Sequence, residues 1–110
     1  MTYYDVYGFK SDGMKAAKII VESCLHIRLK ARDSFFIGDY YKFVNEEGEE
    51  FSIKENRERY DEDEENYREP DFQEFPVLLY IDGASEKNIG AYRKALTARK
   101  EVTLLHTEAL

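Results

Sequence analysis

The run Val77-Leu78-Leu79-Tyr80-Ile81 is apolar without interruption, follows Pro76 and stops at Asp82-Gly83. It is short for a helix and has no polar alternation, which is the pattern of a central strand. Other segments read as strands too. In residues 3–9, Tyr3, Asp5, Tyr7 and Phe9 alternate with Tyr4 and Val6, and Gly8 marks an end or a bulge. Residues 34–44 are aromatic and β-branched, with Gly38 as a bulge or a close backbone approach. A turn at 45–48 leads into a return strand, where Phe51 and Ile53 alternate with Ser52 and Lys54. The segment "EVTLLHT" is a last strand.

Two segments have helical spacing instead. Ala17, Ile20, Val21, Cys24 and Leu25 form one stripe, with Asp12 as the expected N-cap and a helix over 13–28. Ile89, Tyr92 and Leu96 form the other, with Ser85 as N-cap, Asp82-Gly83 as the preceding turn and a helix over 86–98. The expected order is β-α-β-β-β-α-β. The fold class is α+β: a two-layer α/β sandwich, a ferredoxin-like variant with two helices on one face of a mainly antiparallel sheet. All 110 residues fit one domain. Ala17, Ile20, Val21, Cys24, Leu78, Tyr80, Ile89 and Leu96 are expected to be mostly buried.

Charge divides the chain. The net charge is −7, yet residues 46–74 hold fourteen acids and four bases, leaving the remainder mildly basic at +3. The acidic insert at 57–74 contains "YDEDEEN" and three aromatics, Tyr60, Tyr67 and Phe72, with Phe75 directly after it. Phosphate contacts need cations, so this balance argues against nucleic acid and for a basic partner or plain solubility. Nothing reads as a signal peptide or a bilayer span, and a single cysteine fits a reducing compartment, so a cytoplasmic protein is expected.

Catalytic and metal motifs fail on inspection. Cys24 and His26 lie two apart on a helix and face different sides. With His106 they are too few to close a zinc site without carboxylates. A calcium loop starting at Asp61 meets Asn66 where glycine is required and Phe72 where glutamate is required. "GFKSDGMK" lacks the lysine and hydroxyl of a phosphate loop. Asp33, Asp39 and Asp82 are carboxylates without an identifiable catalytic partner. No enzyme, cofactor or metal is expected.

Aromatics remain as the binding signal. Tyr40 and Tyr41 are adjacent in a strand, so one faces away from the helices. The candidate partner-binding residues are therefore Asp61, Glu62, Asp63, Glu64 and Glu65 for charge, with Tyr60, Tyr67, Tyr40 and Tyr41 as anchors.

The segment "RDSFFIGDYYKF" resembles one seen in small bacterial immunity proteins, including those of contact-dependent growth inhibition systems. Arg32, Ser34, Gly38, Tyr40 and Tyr41 carry the likeness. The order of "FSIKEN", an acidic insert, "FPVLLYID" and a second helix agrees with it. The resemblance implies a protein that binds and neutralises a cognate toxin domain, often a nuclease, inside the producing cell. Two other readings stand beside it: a small regulatory domain that binds a metabolite, and an acidic mimic of nucleic acid that binds a basic protein.

Overall fold

A computed structural model of the chain describes residues 1–10, 13–35, 37–58 and 66–110. The main sheet is six-stranded. Its strands are β1 (Thr2–Phe9), β2 (Lys30–Ser34), β3 (Gly38–Val44), β4 (Glu50–Glu55), β7 (Val77–Ser85) and β8 (Val102–Ala109), in the spatial order β2-β3-β4-β7-β1-β8. Every neighbouring pair is antiparallel. Two helices, α1 (Met14–Leu25) and α2 (Glu86–Thr97), pack on one face. The strand run β8-β1-β7-β4 with its two helices follows the β-α-β-β-α-β arrangement. The β2–β3 hairpin extends the sheet beyond β4. The two-layer α+β architecture is as expected from sequence; the strand order is not.

The main correction falls on residues 34–44. They do not form one strand. Gly38 has φ 81°, a left-handed value that glycine adopts without strain, and it opens β3 opposite Ser34 of β2. The sequence "KARDS" of β2 carries no apolar alternation because it is an edge strand, exposed along most of its length. The added strand changes the parity: four main-sheet strands now separate the helices, so β8 runs antiparallel to β1.

A second correction concerns Asp82-Gly83, which is not a turn. Strand β7 continues through it to Ser85. Tyr3 pairs Ala84 and Tyr4 pairs Asp82, so Gly83, at φ 79°, is the extra residue of a bulge. Gly8 lies inside β1, neither at its end nor as a bulge residue. It pairs Leu78 on one side and Thr103 on the other. A Cβ there would stand 2.6 Å from the Phe75 ring, so only glycine admits that ring. Helix α1 ends at Leu25, short of the expected 28. His26 takes a left-handed cap at φ 57° and donates its N–H to the Glu22 carbonyl. The expected N-cap Asp12 lies outside the described residues. Ser85 caps α2 as expected, its hydroxyl accepting from the Asn88 N–H at 3.2 Å.

The main core lies between helices and sheet. Tyr7, Phe9, Val21, Phe51, Ile53, Leu79, Ile81 and Leu96 are its most deeply buried members. Cys24 is half-buried against it. Leu78 belongs elsewhere: with Val6 and Phe75 it forms a smaller apolar group on the opposite face, and half-buried Tyr80 joins it.

Two buried carboxylates stitch the layers. Asp5 is fully buried on the helix-facing side of β1. It receives both the Nε and Nη2 of Arg93 from α2 at 2.9 Å and the Tyr7 hydroxyl at 2.9 Å. Glu49, 1% exposed, accepts from Tyr92 at 2.6 Å, from Asn45 at 2.7 Å and from the Ser85 N–H at 2.7 Å. Burial works against ionisation of both groups, but these donors outweigh it and hold both carboxyls below their ordinary range.

Candidate partner-binding site

The insert at 57–74 is built onto the sheet. Strands β5 (Arg57–Glu58) and β6 (Asn66–Tyr67) pair as a two-residue ribbon, with Arg57 opposite Tyr67 and Glu58 opposite Asn66. A ribbon this short does not hold itself together in water. Its support comes from Asn56, which is fully buried. The Asn56 side-chain amide donates to the carbonyls of Phe72 and Phe75 at 2.9 Å, and its oxygen accepts from the Glu69 N–H at 2.9 Å. Its backbone N–H donates to Pro76, and its backbone carbonyl accepts from Arg68. One residue thus ties the start of the insert to its end. A single turn of 3-10 helix, Pro70–Phe72, then lays Phe72 and Phe75 over Val6, Leu78 and Leu105.

Arg68 makes the second set of ties. Its Nε donates to the Glu55 carbonyl at 2.9 Å, its Nη2 to the Ile37 carbonyl at 3.1 Å, and its Nη1 lies 4.0 Å from Glu58. Ile37 is in the β2–β3 turn, so the ribbon and the hairpin tip sit at one end of the molecule. Asp33, Ile37, Gly38, Asp39 and Glu55 enclose a cleft of about 200 Å³ there. Tyr80 donates to Glu69 at 2.9 Å, and its phenol is pushed above its ordinary range by burial and by that carboxylate. Lys54 stands over the Tyr80 ring at 5.0 Å. Burial, with Arg68 and Lys42 nearby, depresses its ammonium.

The residues expected at the interface are placed unevenly. Tyr60, Asp61, Glu62, Asp63, Glu64 and Glu65 lie outside the described residues. Tyr67 is half-buried in β6 and lines a hollow of about 300 Å³ with Gly13, Arg57 and Pro76. Tyr40 and Tyr41 face opposite sides of β3. Tyr40 is on the side away from the helices, opposite Arg32, while Tyr41 packs against the main core with Lys18 5.4 Å from its ring. They do not form one patch.

Three participants escaped the sequence reading. Asn56 and Arg68 carry no motif; their roles depend on contacts made across ten or more positions of chain. Phe35 lies inside the resembling segment, but reading that segment as one strand hid the fact that it stands at a hairpin tip, 91% exposed.

Arg28, Lys30, Arg32 and Lys42 line a separate hollow of about 300 Å³ beside Phe43 and Val44. The acids of the cleft lie at the hairpin tip. No group of His, Cys, Asp or Glu suited to a metal ion occurs among the described residues, and no helix among them is long and apolar enough to cross a membrane. Comparison with known protein families, with curated proteins and with solved structures finds no match to this chain.

Proposed function

We propose that this chain is a binding protein of the immunity type, which neutralises a basic toxin domain, most simply a nuclease, by covering its active site or an adjacent surface in the cytoplasm. One observation carries the reading: the two residues that bracket the most acidic stretch of the sequence are paired and anchored in the fold. Glu58 and Asn66 are cross-strand partners, and the ribbon they close is fixed by Asn56 and Arg68. Five consecutive carboxylates, Asp61 to Glu65, lie between those partners in sequence. A block of like charge in one stretch of sequence produces a field that speeds encounter with an oppositely charged surface.

The clustering of acids between residues 46 and 74 of the sequence favours this reading over the nucleic-acid mimic, which needs carboxylates spaced over a long surface. A metabolite-binding role would call for a concave apolar pocket with convergent polar groups. A hollow of about 640 Å³ beside the end of α1 is lined mainly by charged and polar side chains, among them Lys18, Glu22, His26, Arg28 and Lys30, and the hollow at the ribbon, about 300 Å³, mixes Glu55 and Arg57 with Tyr67, Pro76 and Val77. The test is co-expression with the protein encoded immediately upstream, followed by purification through one partner. A stoichiometric complex that suppresses that protein's toxicity is expected. Independent elution of the two, with toxicity unchanged, would contradict the reading.

A further inference from the structure

The sheet face turned away from the helices is cationic over β2, β3 and β4. On β2, Lys30 and Arg32 are exposed at alternate positions and so share a face, and Arg28 continues the row ahead of the strand. Lys42 of β3 stands directly opposite Lys30. These are the four cations that line the hollow beside Phe43 and Val44. Lys54 of β4 extends the charge past the hollow. It stands over the ring of Tyr80, which joins the apolar group on the face away from the helices.

The fold does not balance this charge. Among the described residues, Arg28, Lys30 and Arg32 enter no ion pair. Glu22 shares a neighbouring hollow with Arg28 and Lys30, but it is taken up by Lys18 at 3.8 Å and by the Leu29 N–H at 2.8 Å. Lys42 has Glu50 at 3.4 Å, and Glu50 lies with its cross-strand partner Asp82 at the end of β4 away from Lys54. Like charges directly opposed, as Lys30 and Lys42 are, weaken a strand pair. Charge on β2 alone would keep an edge strand from pairing with other chains. That role does not call for Lys42 and Lys54 on the strands inside it.

Tyr40 adds an aromatic surface. It is half-exposed in β3, on the same face and directly opposite Arg32. A cationic track with an aromatic side chain beside it is the combination that holds a single strand of nucleic acid: cations follow the phosphates, and the ring stacks on a base. The charge of the whole chain argues against such a partner, but that charge is set by residues 46–74, and the remainder is +3. Independently of the immunity reading, we infer that this face is a binding site for single-stranded nucleic acid, with Arg28, Lys30, Arg32 and Lys42 on the phosphates and Tyr40 stacked on a base.

The test is fluorescence anisotropy of the full chain with end-labelled single-stranded RNA and DNA of mixed sequence, titrated at several salt concentrations. Binding is expected to weaken as salt rises, with a log–log slope of about −0.7 for each phosphate contacted. Replacing Lys30 and Arg32 together by Gln is expected to lower the affinity at least about tenfold and to flatten the slope by about 1.4. Both side chains are exposed, so the melting temperature is expected to hold. Tyr40→Phe keeps the ring and is expected to bind like the parent, and Tyr40→Ala about tenfold more weakly. No binding at low salt, or binding that the double variant leaves unchanged, would overturn the site. Equal affinity for polyglutamate of the same charge, or capture by phosphatidylserine vesicles in place of the strand, would overturn it as well.

Discussion

Ile20 lies on the buried stripe of α1 and is 8% exposed. Ile20→Ala removes three carbons from a packed core and should cost about 2–5 kcal/mol. A loss below about 1 kcal/mol in chemical denaturation, the range of surface changes, would mean the stripe is misassigned. Gly8 makes the opposite test. Gly8→Ala forces a methyl against Phe75 and the Leu105 side chain, and overpacking of that kind costs about 1–3 kcal/mol. Glu49 sets a pH dependence. Burial raises its pKa, but Tyr92, the Ser85 N–H, Asn45 and Asn88 lower it more. The unfolded chain therefore binds more protons than the folded one in the ordinary glutamate range, near about pH 4.3. The stabilisation is complete above that range and is lost as pH falls through the lower folded value. Glu49→Gln should weaken the fold at neutral pH, where hydrogen bonds to a charged group are worth about 1.5–3 kcal/mol. It should also flatten the acid limb of the stability curve. An unchanged acid limb would remove Glu49 from the account of acid sensitivity.

At the scale of elements, what could be read from sequence followed burial. The central strand, both helices and the strand of Tyr7 and Phe9 carry one-sided or continuous apolar patterns because they face the core, and those patterns locate the elements, though α1 stops at Leu25 and β7 runs on to Ser85. Edge strand β2 faces mostly solvent, so "KARDS" has no period to detect, and the aromatic pattern of β3 alone extends back through the turn to Ser34. The pattern of β1 also placed Asp5 on the apolar face with Tyr7, a local hint of the buried Arg93 pair. The ribbon depends on a hub that no local pattern encodes. Asn56→Ala should leave the Phe75 carbonyl and the Glu69 N–H without this partner, at roughly 1–3 kcal/mol for each group that stays buried, while the Phe72 carbonyl keeps the Phe75 N–H. Hydrogen exchange should then accelerate first at Arg68 and Glu69, while β1 and β7 keep their protection. Uniform acceleration over the whole sheet would mean the insert is not a separate cooperative unit.

At the scale of the whole molecule, the fold sets the root of the acidic insert and the tip of the β2–β3 hairpin at one end of the sheet. The central claim is that this end meets a basic toxin domain under electrostatic guidance. Guidance acts through space and is screened over about 8 Å at physiological ionic strength. Stopped-flow association with the upstream-encoded toxin domain, at low and physiological salt, measures it directly. The association rate should fall as salt rises. It should fall about tenfold at low salt when Asp61, Glu62, Asp63, Glu64 and Glu65 are replaced by Asn or Gln, with a smaller change in dissociation. An association rate indifferent both to salt and to the five substitutions would contradict the claim.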